Sequence, residues 1–153
     1  MKKCYVQAFI ASIFLTIFMS GCATVQPLKT PTGKPDVTIS NVTKKQVFDA
    51  LTNQMLARGY QIKNVTEYNA VYGKRIDSFA AKFFFGSRYD AIPEARINYA
   101  IVETGAGVRV VATLEMITNP GSAFERVTDL SQDKEAHNIQ NMLENLKASL
   151  EKK

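Results

Sequence analysis

Histidine and cysteine are almost missing from this chain, with one and two copies in 153 residues. Each scarcity removes a class of chemistry. His137 has no acidic or cysteine partner at ligand spacing, so a zinc site is not written locally. No nucleophile-elbow motif accompanies it, and nothing in the sequence supports a Ser-His-Asp set, although such sets assemble in space. Basic blocks are lacking too. The formal charge is +5, but Lys2, Lys3, Lys29 and Lys34 all precede Asp36, and the fifteen remaining Lys and Arg face fourteen Asp and Glu. A field that weak argues against a nucleic-acid partner. Internal repeats and low-complexity blocks are absent.

The chain also lacks an apolar run of full membrane-spanning length. Its longest, Tyr5 to Met19, falls short of the ~20 residues that cross a bilayer comfortably. That run follows Met1-Lys2-Lys3 and closes on the small pair Ser20-Gly21 before Cys22. A positive start, a short apolar core and a small-residue cleavage site describe an export signal, not a fold element.

Met19-Ser20-Gly21-Cys22 resembles the lipobox of bacterial lipoproteins, with Met19 where Leu is usual. The resemblance implies removal of residues 1–21, a diacylglyceryl thioether on Cys22 and acylation of its new amino group. It also implies an outer-membrane anchor facing the periplasm of a two-membrane cell, because Ala23 and not Asp follows the cysteine; the inner membrane is the alternative. Several acyl chains anchor stably where one is marginal. Cys4 would leave with the signal and Cys22 would be alkylated, so the mature chain would carry neither free thiol nor disulfide. Residues 22–35, with Pro27, Pro31, Gly33 and Pro35 among Thr and Lys, read as a tether to a single domain over residues 36–153.

Within that domain, Asp36–Ser40 alternates like a short strand. Thr43 and Gln46 form a capping box ahead of Val47, Phe48, Leu51, Met55 and Leu56, which predicts a helix over 44–58 stopped by Gly59. Strands are expected at 60–65 and 68–76. Ala95, Ile97, Tyr99 and Ile101 alternate up to Gly105-Ala106-Gly107, and Val108, Val110, Ala112, Leu114 and Met116 return, which makes a hairpin and not a phosphate loop. Ala136, Ile139, Leu143, Leu146 and Leu150 mark a closing helix over about 132–150, capped by Asp129 or Ser131. The order β-α-β-β-β-β-α predicts an α+β fold, one antiparallel sheet with both helices on one face. In element order it is similar to the helix-grip or TBP-like domains of some envelope lipoproteins.

Candidate chemistry is thin. Asp77, Asp90 and Glu94 share a region with Arg75, Arg88 and Arg96, which suits ion pairing better than general-acid work. Phe83, Phe84 and Phe85 sit in a long connection beside Lys82, Arg88 and Tyr89, either plugging the end of the sheet or forming an apolar contact with a basic rim. Plugging the sheet is the favoured reading, and Phe83, Phe84, Phe85, Arg88 and Tyr89 are the candidate partner contact. The expectation is a membrane-anchored, non-catalytic envelope lipoprotein without cofactor or metal, held to the membrane through Cys22 and engaging an envelope protein or serving as an assembly accessory. A small-ligand or lipid-binding domain is the alternative, and a hydrolase a more distant one.

Overall fold

The alternation that marks the central hairpin is realised from Ile97 to Ile101 and from Val108 to Met116 in the computed structural model, which describes residues 26–76 and 92–152. The elements are β1 (Asp36–Ile39), α1 (Lys44–Ala57), β2 (Gln61–Val65), β3 (Asn69–Arg75), β4 (Glu94–Thr104), β5 (Gly107–Thr118), β6 (Arg126–Asp129) and α2 (Lys134–Glu151). All strand pairings are antiparallel, in the order β1-β5-β4-β3-β2, with β6 also on β5. The fold is α+β, one antiparallel sheet with both helices on one face.

Burial follows the two periodicities. Ile97, Tyr99 and Ile101 of β4 and Val108, Val110, Ala112 and Leu114 of β5 turn toward the helices. There they meet Val47, Leu51 and Met55 of α1 and Met142, Leu143 and Leu146 of α2. Each fully buried Leu or Ile contributes about 1.5–3 kcal/mol. Two tyrosines stand at the centre, edge to face with centroids 5.9 Å apart. The Tyr72 hydroxyl lies 2.7 Å from Thr52 Oγ1, and Tyr99 donates to Met55 Sδ at 3.4 Å. Burial pushes both phenols above their ordinary pKa, for Tyr72 against a lowering effect from the Thr52 bond, so both stay neutral.

Helix α1 begins as its sequence dictates. Gln46 N–H donates to Thr43 Oγ1 at 3.3 Å while Gln46 Oε1 accepts from Thr43 N–H at 2.8 Å. The start of α2 differs from expectation. Its N-cap is Asp133, whose side chain makes no capping bond. Asp129 Oδ1 instead accepts from Ser131 N–H at 2.7 Å, turning the chain one step ahead of the helix.

One strand has no counterpart in the sequence pattern. Arg126–Asp129 carries a single apolar residue and is exposed throughout, so periodicity gives no sign of it. It becomes β6 because the Asn119–Ser122 turn folds the chain back along Glu115–Thr118. The element order is therefore β-α-β-β-β-β-β-α. Strands β1 and β6 lie end to end on one side of β5, and residues next to each of them close the gap. Ala112 N–H donates to Pro35 O at 2.8 Å, and Leu114 O accepts from Leu130 N–H at 2.9 Å.

The outer edge of β1 is sealed by side chains of α2. Gln140 Oε1 accepts from Asp36 N–H at 2.8 Å, and Gln140 Nε2 donates to Asp36 O at 3.3 Å. Glu151 Oε1 takes Ser40 N–H at 2.8 Å. One carboxamide thus supplies both bonds that a neighbouring strand would make to Asp36, which obstructs strand addition along β1. The approach to β1 is fastened as well: Lys34 Nζ donates to Thr113 Oγ1 at 3.2 Å, Pro35 is buried, and Arg109 Nε donates to Asp36 Oδ1 at 3.0 Å.

Candidate functional site

The opposite edge of the sheet is built differently. All five residues of β2 are exposed, and among the described residues its outer side carries no backbone hydrogen bond. In register, Ile62 faces Tyr72 and Val65 faces Ala70, with a bulge between Ile62 and Asn64. Tyr72 and Ala70 both point toward the helices. Ile62 and Val65 are three positions apart and would fall on opposite faces of a regular strand. The extra residue in the bulge returns Val65 to the helix side. Tyr68 of the following turn lines the same hollow as Val65, and Leu56 is exposed near the end of α1. The exposures are 48% for Leu56 and Ile62, 44% for Val65 and 54% for Tyr68, a concentration of apolar surface at an unpaired edge.

Two hollows bracket this strip. At the Val65 end, one of about 380 Å³ is walled by Phe48, Val65, Tyr68 and Ile101, with Lys44 at its rim. Lys44 Nζ sits 4.2 Å from the Tyr68 ring centre, which fixes the ring as the wall. At the Gln61 end, another of about 450 Å³ is lined by Gly59, Gln61, Lys63, Gly73, Lys74 and Arg75; Lys63 is paired with Glu94, and no acid is among the described lining residues. Lys74 Nζ is positioned by a 2.7 Å bond to Arg58 O, where α1 ends.

The face of the sheet away from the helices holds a polar cleft of about 660 Å³. Its centre is Glu94, whose side chain is 5% exposed and accepts from Lys63 Nζ at 2.7 Å and Arg96 Nε at 3.4 Å. The Lys63–Glu94 pair crosses β3 directly over Gly73, where a Cβ would lie 2.4 Å from Lys63 Cε and 2.6 Å from Glu94 Oε1. Only glycine leaves room for that crossing. A buried carboxylate held by two cations is a structural ion pair that fixes β2 to β4 across β3.

A third hollow, about 370 Å³, lies on the helix side at the end of the sheet that Ile76 reaches, lined by Tyr60, Ile97, Leu114, Met116, Leu130 and Ile139. Burial, with Glu135 nearby, raises the Tyr60 pKa, so its hydroxyl is a neutral group at this wall.

Of the residues singled out from sequence, Glu94 is placed as an ion-pair member. His137 is half-buried with no hydrogen-bond partner for Nδ1, and no group of metal-ligating side chains occurs among the described residues. Cys22, Asp77, Phe83, Phe84, Phe85, Arg88, Tyr89 and Asp90 lie outside the described residues. Sequence reasoning misses the β2 strip. Its one signal is the odd spacing of Ile62 and Val65, which breaks alternation in a strand otherwise made of polar residues. Neither the protein-family models nor the curated proteins searched contain a match to this chain.

Proposed function

We propose that this protein is a lipid-anchored, non-catalytic module of the cell envelope that binds another envelope protein along the β2 margin. The observation that carries the reading is the contrast between the two edges. Along β1 the edge is sealed by Gln140 and Glu151, while β2 is left unpaired beside exposed Ile62, Val65 and Tyr68. An edge strand whose outer side has no backbone partner among the described residues, flanked by apolar side chains, suits a partner. The lipobox supplies the anchor in this reading, with Cys22 as the acylated residue at the outer membrane, facing the periplasm. The structural role of Glu94 supports a non-catalytic domain. No helix among the described residues is long and apolar enough to cross a membrane.

The tether is short in this arrangement. Thr30 Oγ1 already bonds to Lys34 O and Lys34 to Thr113, so the spacer runs from Cys22 to Thr30. Such a segment reaches at most about 28 Å when fully extended, which favours a partner at the membrane surface.

A photo-reactive residue at position 62, irradiated in intact membranes, is expected to give a discrete adduct with one envelope protein. The same probe at Asn141, exposed on α2, should give none. Val65→Lys should reduce the adduct about tenfold through burial of an unpaired charge. Equal labelling from both positions would defeat the proposal.

The hollow beneath Tyr60 and Ile139 favours a second reading, a domain that holds a small amphipathic molecule between α2 and the sheet. Native mass spectrometry of the purified protein separates the two: a stoichiometric co-purified lipid supports the second reading, and a bare mass argues against it.

A further inference from the structure

The β2 margin has ends of different character, one with apolar walls inside a rim of mixed charge and one basic, separated by the length of the strand. We infer that it recognises an extended segment that adds antiparallel to β2 as a seventh strand, with an apolar side chain early in the segment and a carboxylate at its C-terminal end. This deepens the interaction reading above and rests on it.

Direction follows from the placement of the two hollows. β2 runs from the Gln61 end, where Lys74 and Arg75 stand beside the Glu94-paired Lys63, toward Val65 and the Phe48–Tyr68 hollow. An antiparallel neighbour enters at the Val65 end and leaves at the Gln61 end. Its first side chain on the helix side therefore meets Phe48, Val65, Tyr68 and Ile101. Its last residues arrive among the cations, where either an aspartate or glutamate side chain or a chain terminus would be received. β2 spans five residues, so the two recognition points lie about four residues apart, roughly 13–15 Å at strand rise. Main-chain bonds along the free edge would supply affinity, and the two end hollows selectivity.

Charge decides between occupants. Antiparallel pairing of β2 with β2 of a second copy, centred on Lys63, sets lysine against lysine and brings two sets of Lys74 and Arg75 together. Like charges directly opposite one another destabilise a strand pair. Lys74 has a backbone carbonyl, Arg58 O, as its bonded partner and no acid within salt-bridge distance among the described residues. Its charge is therefore available to an incoming carboxylate, with its Nζ already held in position. The bulge at Ile62/Asn64 keeps Ile62 and Val65 on one side, so that a partner strand meets one continuous apolar side.

The test uses the full mature protein in detergent and three short peptides of alternating valine and threonine, acetylated at the N-terminus and amidated at the C-terminus. The first carries phenylalanine near its start and aspartate at its end, the second replaces the aspartate with lysine, and the third reverses the order. The first is expected to bind about tenfold more tightly than either other peptide, and to slow amide hydrogen exchange across Gln61–Val65. Lys74→Gln keeps a donor for Arg58 O while removing the charge, and should erase the preference for aspartate over lysine without changing the melting temperature. Lys74→Glu should invert that preference. The inference is overturned by equal binding of the acidic and basic peptides or by unprotected β2 amides. It is also overturned by protection that rises with protein concentration alone, which would assign the edge to a second copy. If the position-62 adduct persists in membranes while peptides leave β2 unprotected, strand addition falls and the interaction reading stands. If peptides bind tightly and protect β2 while no adduct forms in membranes, strand addition stands and the envelope-protein partner falls.

Discussion

Gly107→Ala is expected to lower stability by about 3 kcal/mol and the melting temperature by about 10 °C in a thermal scan. Gly107 opens β5 with φ at +131°, a backbone region that side chains with a Cβ avoid. A Cβ there would also lie 2.2 Å from Ile39 O, the last residue of β1. Unlike the flexible tip of a side chain, that carbonyl cannot swing aside without pulling β1 off β5. The neighbouring Gly105→Ala provides the control, because a Cβ at Gly105 meets nothing within 4 Å and its φ is not positive. It should leave the melting temperature unchanged. If the two variants behaved alike, the contact between the β4–β5 turn and β1 would have no energetic weight.

Cys22→Ser is expected to move the protein from the membrane fraction to the soluble fraction completely. The acyl chains contribute ~0.8 kcal/mol for every buried methylene, far more in sum than any single surface contact on the domain. In the unaltered protein, mass spectrometry of the N-terminal peptide should find an acylated Cys22 with residues 1–21 removed. A variant that stays membrane-bound with its leader cleaved would overturn the anchor. An N-terminal peptide that begins at Met1 in the unaltered protein would show an uncleaved leader instead.

Legibility in the sequence tracks how local the cause of each element is. Helix α1 is announced by Thr43 and Gln46, which bond to each other across three residues, and both of its ends fall close to where the sequence puts them. The β4–β5 hairpin is announced by strict alternation on both sides of a two-residue turn. β6 has no such local cause, because Arg126–Asp129 is a strand only by virtue of the vacant side of β5. The cap of α2 is misleading in the sequence because Asp129 and Ser131, both good capping residues, bond to each other before the helix begins. Gln140 lies on the buried side of α2 beside Met142 and Leu143, and its role on the β1 edge depends on a residue over a hundred positions away. The candidate site follows the same rule. The aromatic run at Phe83–Phe85 stands out by composition alone. The β2 strip depends on a bulge, and a bulge is a relation between two strands. The sequence does set Glu94 among cations, yet one of its two partners, Lys63, arrives from β2 over Gly73 and is not among the neighbours that the sequence suggests.

The fastening of Pro35 and Asp36 has a mechanical consequence. A protein held by its N-terminus transmits every pull between membrane and partner through the point where the tether joins the fold. Here that point is neither a frayed end nor a peripheral loop. Tension arriving at Pro35 is shared at once with β5 through Ala112 and Arg109, and with the last helix of the chain through Gln140. To peel β1 away, a load must break the two-sided Gln140 bond and the Asp36–Arg109 pair together, not one after the other. The edge proposed to bind the partner lies four strands away across the sheet. Force applied between anchor and partner therefore runs transversely through all of the β1-β5-β4-β3-β2 pairings, and the weakest of those seams sets how hard the assembly can be pulled before the domain gives way.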